Sequence, residues 1–171
     1  MNYITTDNIL TKAYRDIDHI TIPEEVNIIG ESAFDDCYKL SKIIIPNNIN
    51  KICNHAFYDC TGLKEIIMSD NVNIIYNSVF IGCSGLKKID LSKVTQIFSC
   101  AFMNCTSLEM VNITKVTKIG NCAFNNCLSL KNIISNLSDE QLIYAFGDEE
   151  QYNNYIQRNR EYKLNILENG L

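Results

Sequence analysis

Residues 33–40 read Ala33-Phe34-Asp35-Asp36-Cys37-Tyr38-Lys39-Leu40, and residues 56–63 read Ala56-Phe57-Tyr58-Asp59-Cys60-Thr61-Gly62-Leu63. The shared pattern is Ala-Phe-x-x-Cys-x-x-Leu, and it returns along most of the chain. Phe34, Phe57, Phe80, Phe102 and Phe124 are separated by 23, 23, 22 and 22 residues. Cys37, Cys60, Cys83, Cys105 and Cys127 keep those intervals, as do Leu40, Leu63, Leu86, Leu108 and Leu130. A period of this length marks a repeat architecture in which each unit is one turn of a stack.

Working outward, a second set of columns appears upstream. Ile20/Ile22 returns as Ile43/Ile45, Ile66/Met68, Ile89/Leu91 and Val111/Ile113. Val26/Ile29 returns as Ile49/Ile52, Val72/Ile75, Val94/Ile97 and Val116/Ile119. A sixth, partial copy begins at Lys131-Asn132-Ile133, and the pattern stops after Leu137. The change from 23 to 22 falls between columns. Pro46-Asn47-Asn48 and Ser69-Asp70-Asn71 shrink to Ser92-Lys93 and Thr114-Lys115. Loops absorb such deletions and core columns do not.

One coil of this length cannot bury its apolar residues by itself. Stacked coils cover one another, so stability is shared along the array. The Ile-x-Ile pairs have period two, which suits a short strand with both Ile pointing inward. Successive copies then form a parallel sheet at about 4.7–4.9 Å spacing.

These residues resemble the leucine-rich repeat of the BspA type, also called the Treponema pallidum type. The first full unit carries the family pattern as Ile20-Thr21-Ile22-Pro23, Val26, Ile29-Gly30, Ala33-Phe34, Cys37 and Leu40. Pro is kept at Pro23 and Pro46. Gly is kept at Gly30 and Gly120, and Cys53, Tyr76 and Phe98 stand in its place elsewhere. The resemblance implies an α/β repeat fold: a right-handed leucine-rich-repeat solenoid with a parallel concave β-sheet. It also implies a binding role, of the kind adhesins perform.

The ends complete the expected organisation. Residues 1–17 hold Ile4, Ile9, Leu10, Tyr14 and Ile17 among polar residues and are read as an N-terminal cap. Residues 18–136 are five full repeats and one partial one. Residues 137–171 are a C-terminal helical cap. Ser138-Asp139-Glu140-Gln141 is a capping box, with a short helix to Phe146 and a stop at Gly147. Asp148-Glu149-Glu150-Gln151 opens a second helix whose Tyr152, Tyr155, Ile156, Tyr162 and Ile166 share a face.

Composition narrows the function. The chain has 171 residues and a net charge of −5. That balance argues against nucleic acid and against an anionic membrane surface. A start without a basic apolar leader and a chain without a long apolar run predict a cytoplasmic protein. Reduced thiols follow from that compartment. The five-membered cysteine ladder reads as core, and Cys100 and Cys122 form a shorter column nearer the surface.

No enzyme motif is present, and no cofactor or metal is expected. Cys53, His55 and Cys60 could imitate a Cys/His pair or a metal cluster. Cys60 already belongs to the core column, and only His19 and His55 supply imidazoles.

The concave face is the informative surface. The strand residues expected to face away from the core are Thr21, Ile44, Ile67, Asp90, Asn112 and Ile134. The row before them is His19, Lys42, Glu65, Lys88, Met110 and Asn132. Ile44 and Ile67 are adjacent, Met110 and Ile134 lie further on, and Lys42, Glu65, Lys88 and Asp90 flank them. An apolar patch with a charged rim suits a protein partner. The expected function is a non-enzymatic protein-binding module that uses this face. The alternatives are an adhesin-like or secreted repeat protein, or a small standalone inhibitor of a host or bacterial enzyme. Self-association through Ile44/Ile67 or the C-terminal helix is a further use of the same surfaces.

Overall fold

The computed structural model describes residues 3–169. In chain order its elements are β1 (Tyr3–Thr6), β2 (Ile9–Ala13), β3 (Ile28–Ile29), β4 (Lys42–Ile44), β5 (Lys51–Ile52), β6 (Glu65–Ile67), β7 (Ile74–Ile75) and β8 (Lys88–Ile89). Then come β9 (Gln96–Ile97), β10 (Met110–Ile113), β11 (Lys118–Ile119), β12 (Asn132–Ser135), α1 (Asp139–Phe146) and α2 (Glu149–Asn169). The repeats themselves are built from short strands and turns, and among the described residues helices occur only after Ser138.

The Ile-x-Ile segments stack as one parallel sheet in the order β12-β10-β8-β6-β4. Its register is that of the repeat: Ile43 pairs with Ile66, Ile66 with Ile89, and Val111 with Ile133. Alternation does the rest. Ile43, Ile66, Ile89 and Val111 are buried while Ile44 and Ile67 face solvent. Each coil also makes a second, two-residue strand just after its Val or Ile column. These form the sheets β1-β2-β3-β5 and β11-β9-β7. The Ile-x-Ile reading has no counterpart for them.

The first coil departs from expectation. Ile20-Thr21-Ile22 forms no strand, although Ile22 is buried. The sheet therefore ends at β4, its edge strand on this side. Asp90 also lies outside its strand, because its carboxylate accepts the Ser92 N–H at 2.8 Å and turns the chain.

Two ladders run down the core. Neighbouring rings of Phe34, Phe57, Phe80, Phe102 and Phe124 stack with centroids 4.8 to 5.5 Å apart and planes within 14°. Such offset stacking adds roughly 0.5–1.5 kcal/mol per pair beyond burial. Beside them each cysteine thiol donates to the carbonyl of the Phe one coil back. The distances are 3.0 Å for Cys60 to Phe34 and 3.1 Å each for Cys83 to Phe57, Cys105 to Phe80 and Cys127 to Phe102. A residue here must be small, apolar and able to donate, and Cys meets all three conditions.

Two further columns explain the turns. Ser32, His55, Ser78, Cys100 and Cys122, each just before the Ala column, have φ between 53° and 58°. Asp36, Asp59, Gly82, Asn104 and Asn126, each just before Cys, have φ between 51° and 71°. Gly, Asn and Asp tolerate this left-handed region best, and they fill the second column completely.

Both ends extend the repeat under different residues. At the N-terminus the Tyr14 carbonyl accepts the Cys37 thiol at 3.7 Å, as Phe34 does for Cys60. The Ile17 N–H bonds Tyr14 at 3.1 Å, matching Cys37 to Phe34. Ala13-Tyr14-x-x-Ile17 is therefore a degenerate Ala-Phe-x-x-Cys turn. At the C-terminus the pattern does not stop at Leu137. Ala145-Phe146 lies 22 residues after Ala123-Phe124, and the Phe124 N–H donates to the Ala145 carbonyl at 2.8 Å. Helix α1 thus carries the sixth member of the column that holds Ala-Phe or, at Val79-Phe80, Val-Phe, and both residues are buried.

Helix α2 packs on the last coil. Each coil's residue after Leu passes a hydrogen bond to the coil before it, ending with Lys131 N–H to Glu109 at 2.9 Å. The Lys131 carbonyl, next in that series, accepts from Asn159 Nδ2 at 2.6 Å, and Leu130 accepts from Arg158 Nε at 3.2 Å. The Ile133 N–H donates to the Tyr155 hydroxyl at 3.1 Å. Side chains of α2 so replace the backbone of a missing coil. The capping box is present, with Ser138 Oγ accepting the Gln141 N–H and the Gln141 side chain accepting the Ser138 N–H. Asp148 Oδ1 accepts the Gln151 N–H at 2.8 Å at the start of α2.

Candidate protein-binding face

The strand alternation that buries Ile43 and Ile66 presents Ile44 and Ile67 side by side, as direct partners in register. Asn112 and Ile134 are likewise partners on β10 and β12. Ile44, Ile67, Met110 and Ile134 are between 40% and 54% exposed, which is high for residues of their type. In the neighbouring row, Lys42, Glu65, Lys88 and Met110 are successive partners across four strands. Lys42 and Glu65 form an ion pair at 2.9 Å, half exposed on both sides. Met110 Sδ lies 3.8 Å from the Tyr162 hydroxyl, so helix α2 reaches the far end of this face.

The sheet therefore brings together eight of the sequence-derived residues: Lys42, Ile44, Glu65, Ile67, Lys88, Met110, Asn112 and Ile134. Thr21 and Asp90 are exposed but lie outside the strands. Two hollows border the face. One, of about 370 Å³, lies between the first coil and β4 and is lined by Ile20, Ile22, Ile44 and Pro46 together with His19 and Lys42. The other, of about 440 Å³, is lined by Lys64, Glu65, Lys87, Lys88 and Asp90. The first has no signal in the repeat pattern, because it lies where Ile20–Ile22 forms no strand.

The Cys/His alternative meets a different geometry. Cys60 is fully buried with its thiol on Phe34, while the His55 ring sits beside Tyr58 with centroids 6.0 Å apart. Among the described residues, no three His, Cys, Asp or Glu side chains are placed to hold a metal. Nor is any helix of the described residues long and apolar enough to cross a membrane.

The BspA type leucine rich repeat region matches residues 8–136 in six copies. The chain belongs to this family. The match starts at residue 8, just before β2, and so takes in the degenerate turn Ala13-Tyr14-x-x-Ile17. A leucine rich cell surface protein from Faecalibacterium prausnitzii is 34% identical with a TM-score of 0.74, over 86% of this chain and 41% of that one. A leucine-rich repeat protein from Bacteroides ovatus is 36% identical with a TM-score of 0.61, over 63% of this chain and 28% of that one. This chain thus spans less than half of either. The leucine-rich repeat protein of T. pallidum shares the fold at 20% identity, with a TM-score of 0.70 over 92% of both chains. Among curated proteins none matches. The BspA-type repeats of this chain are thus a repeat-protein scaffold.

Proposed function

We propose that this chain is a non-enzymatic protein-binding module that engages its partner through the concave sheet. One observation carries the reading: Ile44 and Ile67 are register partners, both exposed, within a rim of charged side chains. Apolar side chains on a solvent-facing sheet cost little alone, but a contiguous patch marks an interface. Met110 and Ile134 extend it toward β12. Within this reading residues 1–17 and 137–171 serve as caps and residues 18–136 carry the contacts.

The compartment reading is cytoplasmic. Its support is the cysteine ladder, whose members act as S–H donors and so need reduced thiols. A second reading, adhesin-like and at the cell surface, is favoured by the name of the Faecalibacterium prausnitzii neighbour. Cell fractionation with a tagged chain separates the two.

The test of the binding reading is a tagged pull-down from source-cell lysate beside an Ile44→Asp/Ile67→Asp variant. Both sites are exposed, so the variant keeps its circular dichroism and thermal midpoint. A protein captured by the unmodified chain and lost with the variant supports the concave face. Equal capture by both places the contact on α2 or the convex side.

A further inference from the structure

The charges beside the apolar row are unevenly spent. The chain has 15 Lys and Arg against 20 Asp and Glu. Yet Lys64, Lys87 and Lys88 gather on two adjacent coils around the hollow of about 440 Å³. Of the two carboxylates there, Glu65 is shared with another lysine and Asp90 is turned onto its own loop. Glu65 is paired with Lys42 at 2.9 Å, and Asp90 accepts the Ser92 N–H at 2.8 Å. Among the described residues, Lys64, Lys87 and Lys88 have no ion-pair partner. Lys64 and Lys87 take successive positions on stacked coils, about 4.8 Å apart along the backbone, and such like-charged neighbours repel one another.

We infer that the concave face takes an extended polypeptide segment that carries both carboxylates and aliphatic side chains. This rests on the binding reading above and names the partner's chemistry. The carboxylates neutralise Lys64, Lys87 and Lys88. The aliphatic side chains cover Ile67 and Ile44, which lie two residues along the strand from Glu65 and Lys42, about 6.6 Å at strand rise. A polynucleotide would satisfy the ammonium groups but leave the Ile row uncovered. None of the residues lining the hollow is aromatic, so bases would find no stacking platform.

The experiment is fluorescence anisotropy of the full chain with labelled synthetic probes. They are a short peptide alternating Glu and Leu, one alternating Glu and Ser, one alternating Lys and Leu, and an oligothymidylate. The Glu/Leu peptide is expected to bind at least about tenfold more tightly than the others, and to weaken as salt rises from about 50 to 300 mM. Lys64→Gln, Lys87→Gln and Lys88→Gln together are expected to weaken it about tenfold, since three exposed charge pairs are lost at once. Equal or tighter binding of the Lys/Leu peptide or the oligothymidylate overturns the inference. So does an unchanged triple variant, or no binding by any probe. The two readings fail separately. If the Lys/Leu peptide binds and is lost with Ile44→Asp/Ile67→Asp, the concave face stands and the acidic partner falls. If the Glu/Leu peptide depends on the three lysines but ignores that double variant, the binding site lies on the rim and the concave reading falls.

Discussion

The thiol of Cys83 donates to the carbonyl oxygen of Phe57 at 3.1 Å, one full coil away in sequence and directly beneath it in space. The same carbonyl also accepts the Cys60 N–H at 3.3 Å. Both of its lone pairs are therefore used inside a core that water does not reach. The cysteine column is a set of inter-coil hydrogen bonds made by the smallest apolar side chain that can donate one.

Cys83→Ala removes the donor and leaves a void the size of a sulfur atom. The expected loss is about 1–3 kcal/mol, combining a lost buried hydrogen bond with a small cavity. Urea unfolding followed by circular dichroism measures it. A change below about 0.5 kcal/mol, the scale of an ordinary surface substitution, would mean the thiol bond contributes nothing.

Alkaline pH should weaken the fold through the same column. Burial pushes the Cys37 and Cys127 thiols from 9.0 up to about 12 and raises Cys83 and Cys105 as well. In the unfolded chain these thiols ionise near about 8.5. Above that pH the unfolded state sheds protons that the folded state keeps, so the unfolded state gains. The contribution of the column is expected to be constant between about pH 6 and 8 and to fall steadily from about 8.5 toward 12. Unfolding midpoints across that range check the sign, and a flat profile to pH 11 would contradict it.

Thiol reactivity should divide the cysteines. Cys37, Cys60, Cys83, Cys105 and Cys127 are buried, while Cys53, Cys100 and Cys122 are partly exposed. Native labelling with a chromogenic disulfide is expected to reach only the latter group, and denaturation to release all eight. Cys53 and Cys100 should label slowly at neutral pH, because partial burial raises both thiols. Mass spectrometry of the labelled peptides assigns the sites.

Gly120 is held by close approach. A Cβ there would stand 2.3 Å from the Ser99 nitrogen and 2.5 Å from the Phe98 carbonyl carbon, both backbone atoms. Gly120→Ala is expected to cost about 1–3 kcal/mol by overpacking. Side chains are accommodated at Cys53 and Phe98 in the same column, where the turn keeps its hydrogen bonds to Ile29 at 2.9 Å and Ile75 at 2.8 Å. A differential scanning comparison of Gly120→Ala with Phe98→Ala separates packing at one coil from a requirement of the turn itself.

The C-terminal helix should be needed for a solitary chain. Asn159→Leu leaves the Lys131 carbonyl without its 2.6 Å donor and is expected to cost about 1–3 kcal/mol. Deleting residues 148–171 uncovers Phe146, Leu130 and Ile133 together. Light scattering at two concentrations is expected to show association of the truncated chain. An unchanged monomer would show that α2 does not act as a cap.

The amino-acid sequence by itself determined the repeat: its columns of Phe, Cys and Leu, the parallel Ile-x-Ile sheet and the helical end. It could do so because identical neighbours stack in register, so each column in the sequence is a column in space. Tertiary structure decided what happens where neighbours are not identical. Ala13-Tyr14-x-x-Ile17 and Ala145-Phe146 join the stack although one follows a hairpin and the other lies in a helix. Their backbone groups meet the adjoining coil even though the surrounding motif is gone. Ile20-Thr21-Ile22 has the motif and forms no strand, so the sheet begins one coil later, at β4. The hollow beside β4 and the unpaired state of Lys64, Lys87 and Lys88 belong to the same class. Both depend on which side chains lie across coils, and spacing along the chain does not fix whether a carboxylate turns toward one lysine or another.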